Sequence, residues 1–311
     1  MTLRLKRLRT LRLKAGSAPG RPPHISAASG LVAVGDWLYV IADDELHLGV
    51  FPGVGSGAGT LIRLLPGELP KGPKKRKASK ADFEILVLLP KFAGYPHGAL
   101  LALGSGSRPN RRRGVLVSLD RSGATTTAMR VIDLSGLYVT LEARLGELNL
   151  EGAVVLGKRL CLLNRGQPHE GVSACVSVNL RAVLRSIARS NGISSLPVKV
   201  RYYDLGTAHG VPLGFTDGAA LPDGSIVFTA VAESADDSYQ DGPCVGAAVG
   251  VIRPDGEVAW ICRLKPVRKV EGIAFRPGSR GRGLLLVTDA DDAVVPAGLY
   301  AAELPYASAE D

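Results

Sequence analysis

Short apolar runs, separated by turns rich in glycine and proline, recur along nearly the whole chain. Five stretches share one order: a small or acidic residue, usually followed by glycine, then an apolar run, a turn, a second apolar run and a polar cluster. They read SGLVAVGDWLYVIADD from Ser29, FEILVLLPKFAGYPHGALLALGSGSR from Phe83, LEGAVVLGKRLCLLNRG from Leu150, TDGAALPDGSIVFTAVAE from Thr216 and VEGIAFRPGSRGRGLLLVTDADD from Val270. Apolar runs of this length between turns are typical of strands, so the pattern predicts five strand pairs.

The spacing of the five repeats leaves room for more strands in each. Aligned on Ser29, Glu84, Glu151, Asp217 and Glu271, they lie 55, 67, 66 and 54 residues apart. Further apolar runs such as GVLVSLD and ACVSVNL follow the pairs. Four antiparallel strands per repeat are the blade of a β-propeller. We therefore predict an all-β propeller of about five four-stranded blades in one domain, 1–311, with blades at about 16–79, 80–146, 147–211, 212–267 and 268–311 plus 1–15.

The last repeat has only one further strand, GLYAAEL, so its blade needs a strand from elsewhere. The N-terminal LRLKRLRTLRL can supply it and close the ring. Two alternatives stay open: this segment is a basic amphipathic helix on a membrane surface, or the chain is a two-domain β-sandwich protein. The periodicity of NLRAVLRSIARS from Asn179, and more weakly of SGLYVTLEARLG from Ser135, predicts two short helical insertions.

Polar residues at the repeat starts and after the second strands should meet at one face of the propeller, around a central funnel. The repeat starts are Ser29, Glu84, Glu151, Asp217 and Glu271. The strand ends are Asp43, Asp44, Ser105, Arg108, Asn164, Arg165, Glu233, Asp289, Asp291 and Asp292. Carboxylates crowded in this way must share protons, pair with arginine or bind a cation.

Three kinds of site follow from this funnel. Oxygen ligands suit calcium or magnesium, for which the metal set is Glu84, Glu151, Asp217 and Glu271. The predicted catalytic residues are Glu151, Asp217 and Arg108, and the predicted ligand-binding residues are Arg165, Asn164, Ser105, Glu233 and Asp289. The alternative is structural, because acidic residues at blade turns also cap backbone N–H groups or hold the next blade.

Two loops are candidate parts of the funnel. In GSGSRPNRRRG, from Gly104, backbone N–H groups could cradle an anion that Arg108 grips; the alternative is a flexible basic turn. AESADDSYQDGPC, from Ala232, is a candidate lid that offers Asp236, Asp237, Tyr239 and Asp241; the alternative is an ordinary solvated loop. KGPKKRKASK, from Lys71, is interpreted as a solvated loop insertion.

The charge and composition of the chain limit the kinds of partner that we expect it to bind. The net charge is +9 at a pI of about 9.5, and much of it lies in 4–14, 71–80 and 108–113. Aromatic residues are not interleaved there, so sequence-specific or single-stranded nucleic acid is not expected. The four cysteines lack CxxC spacing and are expected to be buried thiols. The chain shows neither a span of roughly 18 apolar residues nor a secretory h-region. We expect a cytoplasmic monomer that binds a small anionic ligand or a protein.

The glycine-containing blade openings and strand ends such as LLLVTDADD resemble a group of bacterial propellers that includes the domains named for the esterase-like activity of phytase. LALGSGSRPNRR, LNLEGAVVLG, GFTDGAALPDG, FTAVAE and KVEGIAF look closest to one uncharacterised family within that group. The resemblance implies an acidic funnel with bound calcium that acts on or recognises a phosphorylated or ester-containing small molecule. Ser29 departs from the acidic positions that Glu84, Glu151, Asp217 and Glu271 match.

The sequence therefore favours a metal-dependent hydrolase of phosphoester, ester or lactone molecules, in which a divalent cation activates water and Arg108 and Arg165 neutralise developing charge. The alternative is a non-catalytic propeller that binds a ligand or a protein, because histidines are few and no GxSxG motif is present. A lactonase of the gluconolactonase type ranks third, because such proteins generally have six blades.

Overall fold

Among the described residues, five large and mainly antiparallel sheets form the fold, and each contains one of the predicted strand pairs. The computed structural model describes residues 1–17, 21–53, 55–70, 72–166, 171–234, 242–279 and 281–305. Two short strands come first, β1 (Thr2–Arg4) and β2 (Lys6–Thr10). Blade 1 is β3 (Ala28–Val34), β4 (Trp37–Ala42), β5 (His47–Pro52) and β6 (Thr60–Arg63). Blade 2 is β7 (Phe83–Leu89), β8 (Ala99–Gly104), β9 (Arg113–Leu119) and β10 (Thr125–Asp133).

The remaining blades follow in chain order. Blade 3 is β11 (Leu150–Leu156), β12 (Arg159–Asn164), β13 (Ser173–Asn179) and β14 (Val198–Tyr203), and a small hairpin follows, β15 (Thr207–Ala208) and β16 (Val211–Pro212). Blade 4 is β17 (Gly214–Ala220), β18 (Ile226–Glu233), β19 (Cys244–Ile252) and β20 (Val258–Lys265). Blade 5 is β21 (Lys269–Phe275), β22 (Gly283–Asp289) and β23 (Gly298–Glu303). The predicted all-β propeller of five blades is confirmed.

The inner strands of the blades form the ring. Each of β3, β7, β11, β17 and β21 contacts the inner strands of the blades before and after it, and β21 returns to β3. Apolar side chains fill the spaces between blades, as where Val154 and Leu163 of blade 3 meet Phe215 and Phe228 of blade 4. Strands covered on both faces read as nearly continuous apolar runs, which is why the inner pairs stand out in the sequence.

The N-terminal strands close the ring in two places. β2 pairs antiparallel with β23 and completes blade 5, as predicted. β1 pairs parallel with β20 and adds a fifth strand to blade 4. Leu3 and Leu5 are buried with residues of both blades. This pairing excludes the membrane-surface helix for residues 2–10, and the closed ring of five blades excludes the two-domain β-sandwich.

The described part of the chain has three α-helices, all outside the blade strands. Two were predicted, α2 (Ser135–Leu145) and α3 (Leu180–Arg189), and the side chain of Asn179 caps α3 by accepting from Ala182 N at 3.0 Å. The third, α1 (Pro73–Ser79), replaces the solvated loop predicted for the basic segment. Its C-terminal end is held against the next blade, because Arg111 Nη2 donates to Lys77 O at 2.9 Å and Asn110 donates to Lys80 O at 3.0 Å.

A β-bulge interrupts the inner strand of every blade near its start. One residue of each inner strand has no partner in the pairing register, namely Ser29, Glu84, Glu151, Thr216 and Glu271. Alignment of the repeats on Asp217 was therefore wrong by one residue in blade 4. Thr216 takes the position of the glutamates and donates to Val270 O at 2.8 Å. Asp217 precedes a glycine, as the acidic residue does in EG of other blades. However, the unpaired residue of blade 4 is Thr216, one position before that acidic residue.

Candidate functional site

A polar cavity of about 560 Å³ lies among residues from all five blades. Its walls include the bulged residues Ser29, Glu84, Glu151 and Glu271. Acidic side chains outnumber basic ones in its lining, and none of the described lining residues is aromatic. Its volume is in the range of small-molecule sites, which run from about 300 to about 1,000 Å³. The cavity is the predicted funnel.

The first group of charges lies between blades 1 and 2 and is called here the Lys80 cluster: Asp43, Lys80, Asp82, Glu84 and Arg111. The Lys80 ammonium contacts Asp43 Oδ2 and lies 2.7 Å from Asp82 Oδ1. Arg111 Nη1 donates to Asp82 Oδ2 at 2.7 Å. Burial opposes the charge of Lys80, but Asp43, Asp82 and Glu84 raise its pKa, so the ammonium is held in its charged form.

Asp82 organises this cluster. Its φ of 56° is in the left-handed region, which non-glycine residues seldom adopt. Besides Lys80 and Arg111, the hydroxyl of Ser105 donates to its carboxylate, and the Asp82 carbonyl accepts from Ser105 N at 3.0 Å. These contacts offset the backbone strain and fix both carboxylate oxygens.

Glu84 differs from its neighbours. Its carboxyl lines the cavity, and one of its oxygens lies within 4.8 Å of oxygens of Asp43 and Asp82. It makes no ion pair or side-chain hydrogen bond with the residues that the structure describes. Burial raises its pKa well above the usual value, and the neighbouring carboxylates add to this. Glu84 is therefore a cavity-facing carboxylic acid that favours its protonated form.

The second group lies between blades 4 and 5 and is called here the Lys269 cluster: Glu233, Lys269, Glu271, Asp289 and Asp291. Lys269 Nζ lies 2.6 Å from Asp291 Oδ1, 2.8 Å from Glu233 Oε1 and 3.7 Å from Asp289 Oδ2. The Glu271 carboxylate is 3.8 Å away. Burial raises the pKa of Asp289 to about 8, although Lys269 opposes the rise.

Glu151 of blade 3 is linked to this cluster through Arg165. Arg165 Nη2 lies 2.5 Å from Glu233 Oε2, and its Nη1 lies 3.8 Å from Glu151 Oε1. The side chain of Asn149 donates to the same Glu151 oxygen at 2.8 Å. Burial raises the pKa of Glu151 to about 7, against the opposing charge of Arg165. Glu151 therefore exchanges a proton near neutral pH.

Asp217, a predicted catalytic and metal-binding residue, is absent from the cavity lining. Its Oδ1 accepts from Gly218 N at 2.7 Å, and its Oδ2 accepts from Ile273 N of blade 5 at 3.0 Å. The N–H of Ala153 in blade 3 is a further donor. A Cβ on Gly152 would lie 2.6 Å from Asp217 Cα, so glycine is needed for this close approach. Asp217 joins three inner strands. Its role is therefore the structural one, in which an acidic residue accepts backbone N–H groups and holds the next blade.

Two of the predicted ligand-binding residues lie behind the wall. Ser105 is fully buried and donates to Asp82. Asn164 is 3% exposed and accepts from Asn149 N at 2.8 Å. Ser107 N donates to Ser105 Oγ at 3.3 Å, so this N–H of the loop after β8 is used within the loop and is not directed at an anion. Arg108, Arg165, Glu233 and Asp289 do line the cavity.

Other polar positions face elsewhere. Arg76 of α1 donates to Asp44 O at 2.6 Å, and Asp292 accepts from Val294 N at 2.9 Å. The candidate lid residues Asp236, Asp237, Tyr239 and Asp241 lie outside the described residues.

Several cavity residues escaped the sequence prediction. Asp82, Asn149 and Lys269 each stand two residues before a bulged glutamate. Alternate residues of a strand share a face, so this period was the available signal. Lys80 and Arg111 lie inside basic runs that resembled solvated loops.

The carboxylates of the Lys80 cluster supply an all-oxygen set that calcium or magnesium would accept. However, the Lys80 ammonium already binds oxygens of Asp43 and Asp82, and Arg111 binds the other oxygen of Asp82. A divalent cation would compete with these positive groups for the same lone pairs. The residues of the Lys80 cluster therefore do not fit a resident divalent cation.

Comparison with known proteins identifies the family. Residues 24–304 match the profile described as "Family of unknown function (DUF6929)". The chain belongs to the DUF6929 family. No curated protein matches the DUF6929 chain. The resemblance to phytase-like propellers therefore stays a prediction.

Solved structures resemble the DUF6929 chain only loosely. A GDP-Man-dependent mannosyltransferase from Leishmania mexicana has 14% identity and a TM-score of 0.44, with 97% of this chain and 90% of the other covered. A gluconolactonase from Xanthomonas campestris has 11% identity and a TM-score of 0.42, with 89% and 72% covered. A hypothetical protein from Leishmania major has 12% identity and a TM-score of 0.41, with 97% and 92% covered. Similarity at this level carries no argument about activity.

Proposed function

We propose that the funnel is the active site of a hydrolase that cleaves a small ester, lactone or phosphoester. The observation that carries the proposal is the pair Glu84 and Glu151, which occupy the same bulge position in neighbouring blades and both line the cavity. Glu84 favours its protonated form, whereas Glu151 loses its proton near pH 7. Two carboxyl groups whose environments differ in this way suit the roles of general acid and general base.

In the proposed reaction, ionised Glu151 takes a proton from a water molecule as the water oxygen bonds to the carbonyl carbon or phosphorus. The ester C–O or P–O bond breaks, and Glu84 gives its proton to the leaving oxygen. Arg165 favours the ionised form of Glu151. Lys80 and Arg108, on the cavity wall, supply positive charge for the oxygen that becomes negative.

The test is a hydrolysis screen of purified protein with esters, lactones and phosphoesters, followed by variants on the best substrate. Glu84→Gln and Glu151→Gln should each lower kcat by roughly 10²–10⁴-fold, the usual contribution of a general acid or base. Glu257→Gln is the matched control, because that side chain is 68% exposed on blade 4. The rate should rise as pH increases through about 7, where Glu151 loses its proton, and Glu151→Gln should remove that rise. Full activity in both variants would contradict the proposal.

The predicted metal dependence can be separated from the hydrolysis itself. Because Lys80 holds the oxygens of Asp43 and Asp82, we expect activity to survive EDTA treatment. Loss of activity on chelation, with recovery on adding calcium or magnesium, would instead support the predicted metal-dependent mechanism.

The second candidate is a non-catalytic binding propeller. It is favoured by the Lys269 cluster, in which every carboxylate lies within 4 Å of Lys269 and Glu233 is shared with Arg165. A network of charges paired in this way can recognise a ligand without proton transfer. Saturable binding of a small molecule by calorimetry, with no turnover of any compound that binds, would support this alternative over the hydrolase.

A further inference from the structure

Lys80 has the surroundings of a metal ion. Oxygens of Asp43, Asp82 and Glu84 lie within 4.8 Å of one another, as the ligands of one hard cation do. The ammonium nitrogen is in direct contact with Asp43 and lies 2.7 Å from Asp82. The side chain is only 11% exposed, so its charge is largely removed from water. Removing a charged ammonium from water costs free energy, and close pairing with carboxylates offsets that cost.

The Lys80 ammonium also has capacity left for a ligand. An ammonium carries three N–H donors. Lys80 Nζ donates to Asp43 Oδ2 and lies 2.7 Å from Asp82 Oδ1, and among the described residues no other hydrogen bond from this ammonium is found. Lys80 and Glu84 both line the cavity. One donor is therefore available to an oxygen atom of a bound molecule.

We propose that the Lys80 ammonium replaces a divalent cation in the funnel: it is the permanent counter-ion of Asp43 and Asp82, beside which Glu84 lies, and it binds an oxygen of the ligand where a metal would. The cation is thus supplied by the chain. The inference holds whether or not the funnel hydrolyses its ligand.

The test is removal of the internal cation. In Lys80→Met, a side chain of similar length lacks the charge, and the three carboxylates are left to bind an external cation. Calorimetric titration with calcium chloride should show no binding to the wild-type protein. The variant should bind one calcium ion, with a dissociation constant of roughly 10⁻⁴–10⁻³ M, as in weak all-oxygen sites.

Two controls make the titration specific. Lys74→Met removes a lysine from the exposed side of α1 and should create no calcium site. The double variant Lys80→Met/Glu84→Gln lacks one donor and should bind calcium at least about tenfold more weakly than Lys80→Met.

The outcomes of the calcium titrations test the role of Lys80 separately from the proposed hydrolase. Binding of one calcium ion by the wild-type protein, abolished in Asp43→Asn, would overturn the proposal even if Lys80→Met failed to fold. A folded Lys80→Met that binds no calcium would also overturn it. Neither result depends on the hydrolysis screen, so failure of the hydrolase leaves this test intact.

Discussion

At the scale of single residues, Asp217 shows how an acidic side chain in a propeller can serve the fold. Its two oxygens accept backbone N–H groups from its own strand and from blade 5, and Ala153 of blade 3 adds a third donor. Burial raises its pKa, whereas these donors lower it. The side chain replaces backbone pairing where three inner strands converge at a bulge.

Replacement of Asp217 should therefore destabilise the protein strongly. Asp217→Ala leaves buried N–H donors without acceptors, so we expect the free energy of unfolding to fall by about 3 kcal/mol. Urea denaturation followed by circular dichroism would measure it. Asp223→Ala is the matched control, because that residue accepts from Ser225 N in an exposed turn of the same blade. Equal losses in the two variants would contradict the assigned role.

The buried carboxyl groups of the funnel also predict how stability depends on pH. Glu151 and Asp289 have folded pKa values of about 7 and about 8, above their unfolded values. Between those limits the folded state holds protons that the unfolded state has lost, so the free energy of unfolding should fall as pH rises from 5 to 8. Melting temperatures across that range would measure this.

Glu151→Gln provides the control for this pH dependence. An amide does not titrate, so the decline should be shallower in the variant. A melting temperature that rises between pH 5 and pH 8 would show that the funnel carboxyl groups ionise normally.

At the scale of elements, closure of the ring depends on the two N-terminal strands, β1 and β2. Leu5 is 6% exposed among side chains of blades 4 and 5, whereas Leu8 is 45% exposed on the same segment. Leu5→Ala should lower the free energy of unfolding by about 2–4 kcal/mol through lost burial and the cavity left behind. Leu8→Ala should cost less than about 1 kcal/mol.

Thermal and urea denaturation of the two leucine variants would measure the difference. Similar, small losses in both would mean that closure of the ring does not depend on β1 and β2.

The elements that could be predicted are those whose own residues carry the pattern. Apolar strands of the inner pairs, such as β8, are buried along their whole length, so they were visible as continuous apolar runs. α1 was missed because it is a basic segment held by contacts with Asn110 and Arg111, which lie in the next blade. The bulge at Thr216 was missed because the position of an extra residue depends on the register with β18.

Some residues of the candidate site could likewise be predicted from the sequence, and others could not. Glu84, Glu151 and Glu271 could be assigned to the funnel from the repeats, and the structure places them on its wall. Their partners Lys80 and Lys269 could not, because an ion pair between blades depends on how the blades are arranged around the ring. Repeats in one sequence show which positions are equivalent, but not which side chains from different blades meet.

At the scale of the whole molecule, charge is segregated. The chain carries a net charge of +9, yet acidic side chains predominate in the lining of the cavity. No helix in the described parts of the chain is both long and apolar enough to cross a bilayer. Mutual repulsion among the surface cations should weaken the fold at low ionic strength, whereas the buried ion pairs are little affected by salt.

Moderate salt should therefore stabilise the protein. We expect the melting temperature at pH 7 to rise between about 10 mM and about 150 mM sodium chloride, as the Debye length falls from roughly 30 to 8 Å. Differential scanning calorimetry would show this. A melting temperature that falls over the same range would mean that exposed ion pairs, rather than repulsion, dominate the surface.

The pairing of the first strands with the last blades has a consequence for synthesis. Thr2 pairs with Arg263, and Lys6 pairs with Ala301, so contacts span most of the chain. During translation the opening residues leave the ribosome long before their partners exist. Contacts this distant in sequence slow folding. The nascent protein therefore has to keep an apolar, basic segment out of wrong pairings until blades 4 and 5 have been made, and its dependence on chaperones should be greatest during that interval.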